Sequence, residues 1–278
     1  MTAAAFWFSV MASLIRHISA DLSPFEMVFF RNLFAFICLL PWAYNYGFKR
    51  IRTNRWKLYA GRSVSGLAGM IMIFYALSII PLTDVIALTF TVPLISTIMA
   101  VMFLKENVDF HRWLALLFGF IGVLVVLRPG TEAFQWASLL VIATTFCWSC
   151  SNIFVKKLTS TDQPRVILFL MLLLMVPLSF PLATIHWQTP TLNQLGLLFI
   201  LGWVTNMAQL CMTNSYAATD MSAVQPFDFA RLIFTSIIAW IFFEETLNIW
   251  TGFGAIIIFG SSVYVTQRAK SSAAKGLL

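Results

Sequence analysis

The feature that most constrains this chain is a succession of apolar runs, each about twenty residues long, separated by short polar breaks that hold most of the charge. A helix of about 20 apolar residues spans the hydrocarbon core of a bilayer, and there every backbone N–H and C=O must be satisfied within the segment itself. The runs predict spans at roughly 3–20, 25–45, 58–79, 82–104, 110–128, 133–155, 165–186, 194–216, 221–243 and 247–267. Hydrophobic residues are 60% of the 278 and charged residues only 10%, so little is left for a separate soluble domain. The expected class is an all-α integral membrane protein with ten transmembrane helices. The first run lacks a basic leader and a small-residue cleavage site, so it is expected to stay as a span rather than to be removed as a signal peptide.

The net charge of +7 does not point to nucleic acid, because the basic residues lie between apolar segments instead of along one exposed face. They act as topology signals. With the N-terminus inside, thirteen fall in inside loops or the tail, among them Lys49, Arg50, Arg55, Lys57, Lys156, Lys157 and Arg165, whereas only Arg16 and Arg128 fall outside. The positive-inside rule then puts both termini in the cytoplasm; the expected location is the inner (cytoplasmic) membrane. Cys38, Cys147, Cys150 and Cys211 all lie within expected spans, which argues against a disulfide framework.

The chain also resembles itself. Pro24 and Pro164 each open a span, and eight residues before them stand Arg16-His17 and Lys156-Lys157. Thr83-Asp84 recurs as Thr219-Asp220, and Glu106 and Glu244 are each followed sixteen residues later by glycine. Offsets of 140, 136 and 138 indicate one duplication, giving repeats at 1–130 and 131–268 and a tail at 269–278. Five spans per copy is an odd number, so the copies insert in opposite senses. Inverted repeats are a transporter architecture, with the site where the copies meet.

Ionisable groups inside spans are expensive and point to function. Asp228 and Arg231 share a helix face just after Pro226 and can pair with each other, either as a structural ion pair or as part of a site. Arg31 lies a third of the way into the second span, while Arg62 opens the third and is expected to snorkel to the interface. Asn206 and Gln209 belong to a polar stripe, with Thr213, that either lines a cavity or binds helices together. Trp7 and Trp148, with Asn152 beside the latter, fit a cavity wall; Tyr75, Phe90 and Phe227 are candidates for stacking on a planar or cationic ligand. There is no Walker A loop, HExxH, G-x-S-x-G or zinc spacing, so neither an enzyme nor a cofactor or metal is expected.

The stretches FYALSIIPLTDVIALTFTVPLISTIMAVMFLKE (74–106), GFIGVLVVLRPG (119–130) and QPFDFARLIFTSIIAWIFFEE (225–245) resemble the EamA family of the drug/metabolite transporter superfamily. With FFRNLF at 29–34, the second half looks most like the bacterial branch that includes S-adenosylmethionine uptake proteins. The resemblance implies ten helices in two inverted five-helix repeats, and a central cavity lined by spans 1, 3, 4, 6, 8 and 9 that works by alternating access. The expected function is a secondary transporter of a small amino-acid-like or nucleoside-like metabolite, with S-adenosylmethionine the leading guess. Its partners are the substrate and the bilayer, with a homodimer left open. An exporter of amino acids or toxic metabolites is the alternative within transport, and a non-transporting scaffold subunit the alternative outside it.

Overall fold

Pro24 and Pro164 each occupy the first turn of a helix, where a missing N–H costs nothing and the fixed φ starts the spiral. From these starts run α2 (Pro24–Tyr46) and α6 (Pro164–Ala183). Ser23 caps α2 by accepting from the Phe25 N–H at 3.3 Å. The remaining helices are α1 (Thr2–Ile18), α3 (Trp56–Ile79), α4 (Leu82–Thr89), α5 (Ala137–Leu158), α7 (Leu192–Ala218) and α8 (Ala230–Phe243). This computed structural model describes residues 1–19, 21–48, 51, 53–89, 136–218 and 230–244, with further positions within 91–102, 114–125 and 249–263. Among the described residues there is no strand, and α2, α3, α5, α6 and α7 are each long and apolar enough to cross a membrane; α1 is a shorter apolar helix.

Polarity runs outward in the reverse of a water-soluble protein. Leu173, Leu178, Phe180, Phe199, Ile200 and Trp203 are exposed on the outside, whereas Ser9, Thr144, Thr145, Ser149, Thr205, Thr213 and Thr235 are buried. With no water in hydrocarbon, each buried hydroxyl must find a protein acceptor. Several do so across helices, and the pattern occurs twice. Ser9 on α1 donates to the Arg231 carbonyl on α8 (3.1 Å) and accepts from Thr235 (2.9 Å). Ser149 on α5 donates to the Val92 carbonyl (3.3 Å) and accepts from Ser96 (3.0 Å). Corresponding residues in the two sets are 139 or 140 positions apart.

The packing repeats on the same plan. α3 lies along α5 as α1 lies along α7, α1 meets α8 as α5 meets α4, and α2 meets α7 as α6 meets α3. Two cations close helix ends in matching places: Arg16, in the last turn of α1, donates to the Leu77 (2.7 Å) and Ile80 (3.3 Å) carbonyls where α3 ends, and Lys156, in the last turn of α5, donates to the Tyr216 carbonyl (3.1 Å) near the end of α7. Each thereby satisfies carbonyls that a helix terminus leaves open.

Close approach depends on glycine. Gly61 and Gly69 on α3 face the rings of Phe154 and Trp148 on α5, and Gly202 on α7 faces the backbone of α2 so closely that an added Cβ would stand 2.7 Å from the Ala35 nitrogen and 2.9 Å from the Phe34 carbonyl carbon. Backbone cannot yield as a side-chain tip can. Gly202→Ala is therefore expected to destabilise by roughly 1–3 kcal/mol, read as a lower melting temperature of the purified protein, while Gly196→Ala, with no atom of another helix within 4 Å, does not lower melting and, by favouring the helix, can raise it.

Candidate functional site

One face of α3 sets the floor of a central cavity. Arg62, Gly66, Met70, Ile73, Phe74 and Leu77 recur at helical spacing and all line it. Around it stand Phe8, Met11, Ala12 and Ile15 from α1, Trp148, Ser151 and Asn152 from α5, and Gln209, Met212 and Tyr216 from α7. α2 adds Arg31, α4 Thr89, α6 Met171 and Met175, and α8 Arg231. Every helix described above therefore supplies at least one lining residue.

Three arginines converge here, with 2% (Arg31), 3% (Arg62) and 7% (Arg231) of their surface exposed. Arg31 donates from Nε to Thr205 Oγ1 (2.9 Å) and from Nη1 to Asn32 Oδ1 (3.1 Å) and Met70 Sδ (2.6 Å). Arg62 donates from Nη1 to Met171 Sδ and from Nη2 to Gln209 Oε1 at 3.4 Å, and its buried Nε has no acceptor. Arg231 donates from Nη2 to Thr89 Oγ1 (3.4 Å), and its guanidinium carbon lies 5.6 Å from the centre of the Phe8 ring. Among the described lining residues there is no Asp or Glu. Among them are six methionines: Met1, Met11, Met70, Met171, Met175 and Met212.

The residues expected from sequence divide accordingly. Arg31, Trp148, Asn152, Gln209 and Arg231 line the cavity together. Tyr75 does not; one step around α3 from Phe74, it turns outward and is 47% exposed. Trp7 packs edge-on against Phe6 and Trp203 instead of lining the cavity, and Asn206 Nδ2 donates to the Ala35 carbonyl (2.7 Å), tying α7 to α2. Phe90, Phe227 and Asp228 lie outside the described residues.

Arg62 is the main correction. It does not snorkel to an interface but is buried against Met171 and Gln209, because it stands on the cavity stripe of α3, one turn before Gly66 and two before Met70. That spacing was the signal for it in the sequence. The cavity also takes residues from spans 2 and 7, Arg31, Met171 and Met175, in addition to the six spans that the resemblance implied. The methionines had no distinguishing pattern in a chain this apolar.

A buried cavity that bears cations and is enclosed by apolar-faced helices is the kind of place in which a membrane protein builds a site. The model of the EamA-like transporter family matches residues 1–128 and 135–267. The chain belongs to this family. Among its relatives, an S-adenosylmethionine uptake transporter of Rickettsia bellii is 30% identical over 94% of this chain and 89% of its own length. A riboflavin transporter of Vibrio cholerae is 32% identical over 96% and 91%. One solved crystal structure aligns with a TM-score of 0.70 at 14% identity, over 97% of each chain, and so shares the fold. The family consists of transporters, and this member is a multi-pass membrane protein that carries a small metabolite.

If the cavity is wet, a thiol placed in it ionises and reacts, whereas one facing lipid does not. In a background with the four native cysteines replaced by alanine, Gln209→Cys and Asn152→Cys are expected to react with a water-soluble maleimide in proteoliposomes. Leu173→Cys and Phe180→Cys, on the apolar exterior, are expected to stay unmodified.

Proposed function

We propose that this protein is a secondary transporter of the cytoplasmic membrane that moves a small amino-acid-like or nucleoside-like metabolite by alternating access through the central cavity. The observation that carries this reading is the convergence of Arg31, Arg62 and Arg231, from three different helices, on one chamber. A scaffold subunit has no use for such cations, since each is costly to hold away from water.

On this reading the chain has ten spans in two inverted repeats, 1–130 and 131–268, with both termini and the tail at 269–278 in the cytoplasm. The twofold recurrence of the Ser9 and Ser149 hydrogen bonds, and of the helix pairings, supports it. In opposed copies, Arg16 and Lys156 lie at opposite faces of the membrane. They then serve as two gates: the Arg16 bonds to α3 part when the cavity opens outward, and the Lys156 bond to α7 parts when it opens inward.

S-adenosylmethionine is the leading substrate. Its carboxylate meets arginine, and its planar base and sulfonium centre meet Trp148 and the thioether wall. Asp228, paired with Arg231, is the reading for the second charge of such a zwitterion. A paired carboxylate keeps its charge and carries protons poorly, which sets exchange or facilitated diffusion beside proton symport.

Counterflow decides the reading: proteoliposomes loaded with unlabelled S-adenosylmethionine are expected to accumulate the labelled compound transiently and with saturation. No accumulation with any of a panel of amino acids, nucleosides and flavins would overturn it. For the gates, Arg16→Gln is expected to raise labelling of a cavity cysteine from the outside and Lys156→Gln from the inside. Equal labelling from both sides in both variants would remove the gate assignment.

A further inference from the structure

Arg31 and Arg62 are cations whose hydrogen-bond partners among the described residues are all uncharged. Both are buried, and among the described residues neither makes an ion pair. Arg31 relies on one hydroxyl, one amide oxygen and the Met70 sulfur; Arg62 relies on the Met171 sulfur and a long contact to Gln209. A thioether is a weak acceptor, and a guanidinium with five N–H groups is built to meet two oxygens at once. Both cations line the same cavity, and Arg31 lies within reach of the charge of Arg62. Like charges gathered in a low-dielectric chamber, and held by acceptors that cannot neutralise them, leave a standing demand for an anion.

We propose that Arg31 and Arg62 form a carboxylate-binding subsite, and that Met70 and Met171 are placeholders that hold the two guanidinium groups until the substrate's carboxylate displaces the sulfurs. The proposal rests on the transport reading and narrows it: the substrate class is an organic carboxylate, zwitterions included, with an apolar or sulfur-bearing body. Methionine suits the placeholder part. Its side chain is unbranched and rotates freely, so the sulfur can withdraw without disturbing the helices, and the same thioethers then contact the apolar body of the substrate. Met175, which also lines the cavity, stands one turn from Met171 on α6 and continues this wall.

Two measurements test it. The first needs no ligand. If Arg62 were a structural brace, removing its charge would lower the melting temperature of the empty protein; if it is an unneutralised binding charge, Arg62→Met, close in length and apolar, raises it. The second uses pairs of probes that differ only in the carboxylate: S-adenosylmethionine against its decarboxylated form, and methionine against methioninamide. In the purified full-length protein, the carboxylates are expected to quench Trp148 fluorescence or raise the melting temperature at concentrations at least tenfold lower than their partners do. Inorganic phosphate serves as a control for any small anion. Arg31→Gln and Arg62→Gln are expected to abolish the preference, and Arg62→Lys to keep part of it. A lower melting temperature for empty Arg62→Met, equal effects within each probe pair, phosphate as effective as the carboxylates, or an intact preference in Arg62→Gln overturns the subsite. Carboxylate-selective binding with no counterflow leaves the subsite standing and instead defeats the transport reading.

Discussion

A guanidinium held away from water sets the terms for the rest of this fold. In hydrocarbon a lone cation is untenable, so Arg31, Arg62 and Arg231 can exist only if helices close around them on all sides. All eight described helices do so, and Leu, Ile, Phe and Trp are prominent on the faces they turn outward. The chamber and its lipid-compatible exterior are thus two sides of one requirement. The hydroxyls of Ser9, Thr91, Ser96 and Thr235 follow the same logic on a smaller scale, each bonded across helices to a carbonyl or to another hydroxyl.

Closure at this density needs helices that touch, and side chains with no volume provide it. α3 reaches α5 through Gly61 and Gly69, and α7 reaches α2 through Gly202, where the Asn206 amide one turn later adds a bond to the Ala35 carbonyl. α2 and α6, each opened by a proline and each carrying further proline in its interior, pack against one another. The hydroxyl bonds and helix pairings that recur 139 or 140 residues apart put similar pieces on both sides of the chamber.

Much of this was legible in the sequence, for identifiable reasons. Span length is imposed by bilayer thickness, so apolar runs marked α1, α2, α3, α5, α6 and α7 to within a few residues; proline starts and the spacing of Arg16 and Lys156 marked the internal resemblance. Arg31, Trp148, Asn152, Gln209 and Arg231 stood out because polar or large amphipathic groups are rare in such runs. What escaped was rotation about the helix axis. Tyr75 and Phe74 are neighbours in sequence and face opposite environments, and Trp7 and Phe8 divide in the same way. Composition cannot fix that angle when both faces are apolar. Arg62 was misread for a related reason: closeness to a helix end suggested an escape to water, while its place on the stripe with Gly66 and Met70 pointed inward. Asn206 and Gln209 share a stripe, yet one ties helices together and the other faces the chamber, a difference set by how near α2 comes to α7.

The thioether lining has a consequence for the history of such a chamber. A wall of branched or aromatic side chains has a fixed outline, and admitting a new guest means recarving several positions together. Unbranched sulfur-bearing chains have no such outline; they flow around whatever shape the charged anchor points retain. Here methionines alternate with branched and aromatic neighbours such as Ile73, Phe74 and Trp148, so part of the wall can take up a change of shape while the rest keeps its outline and the helices stay where they are.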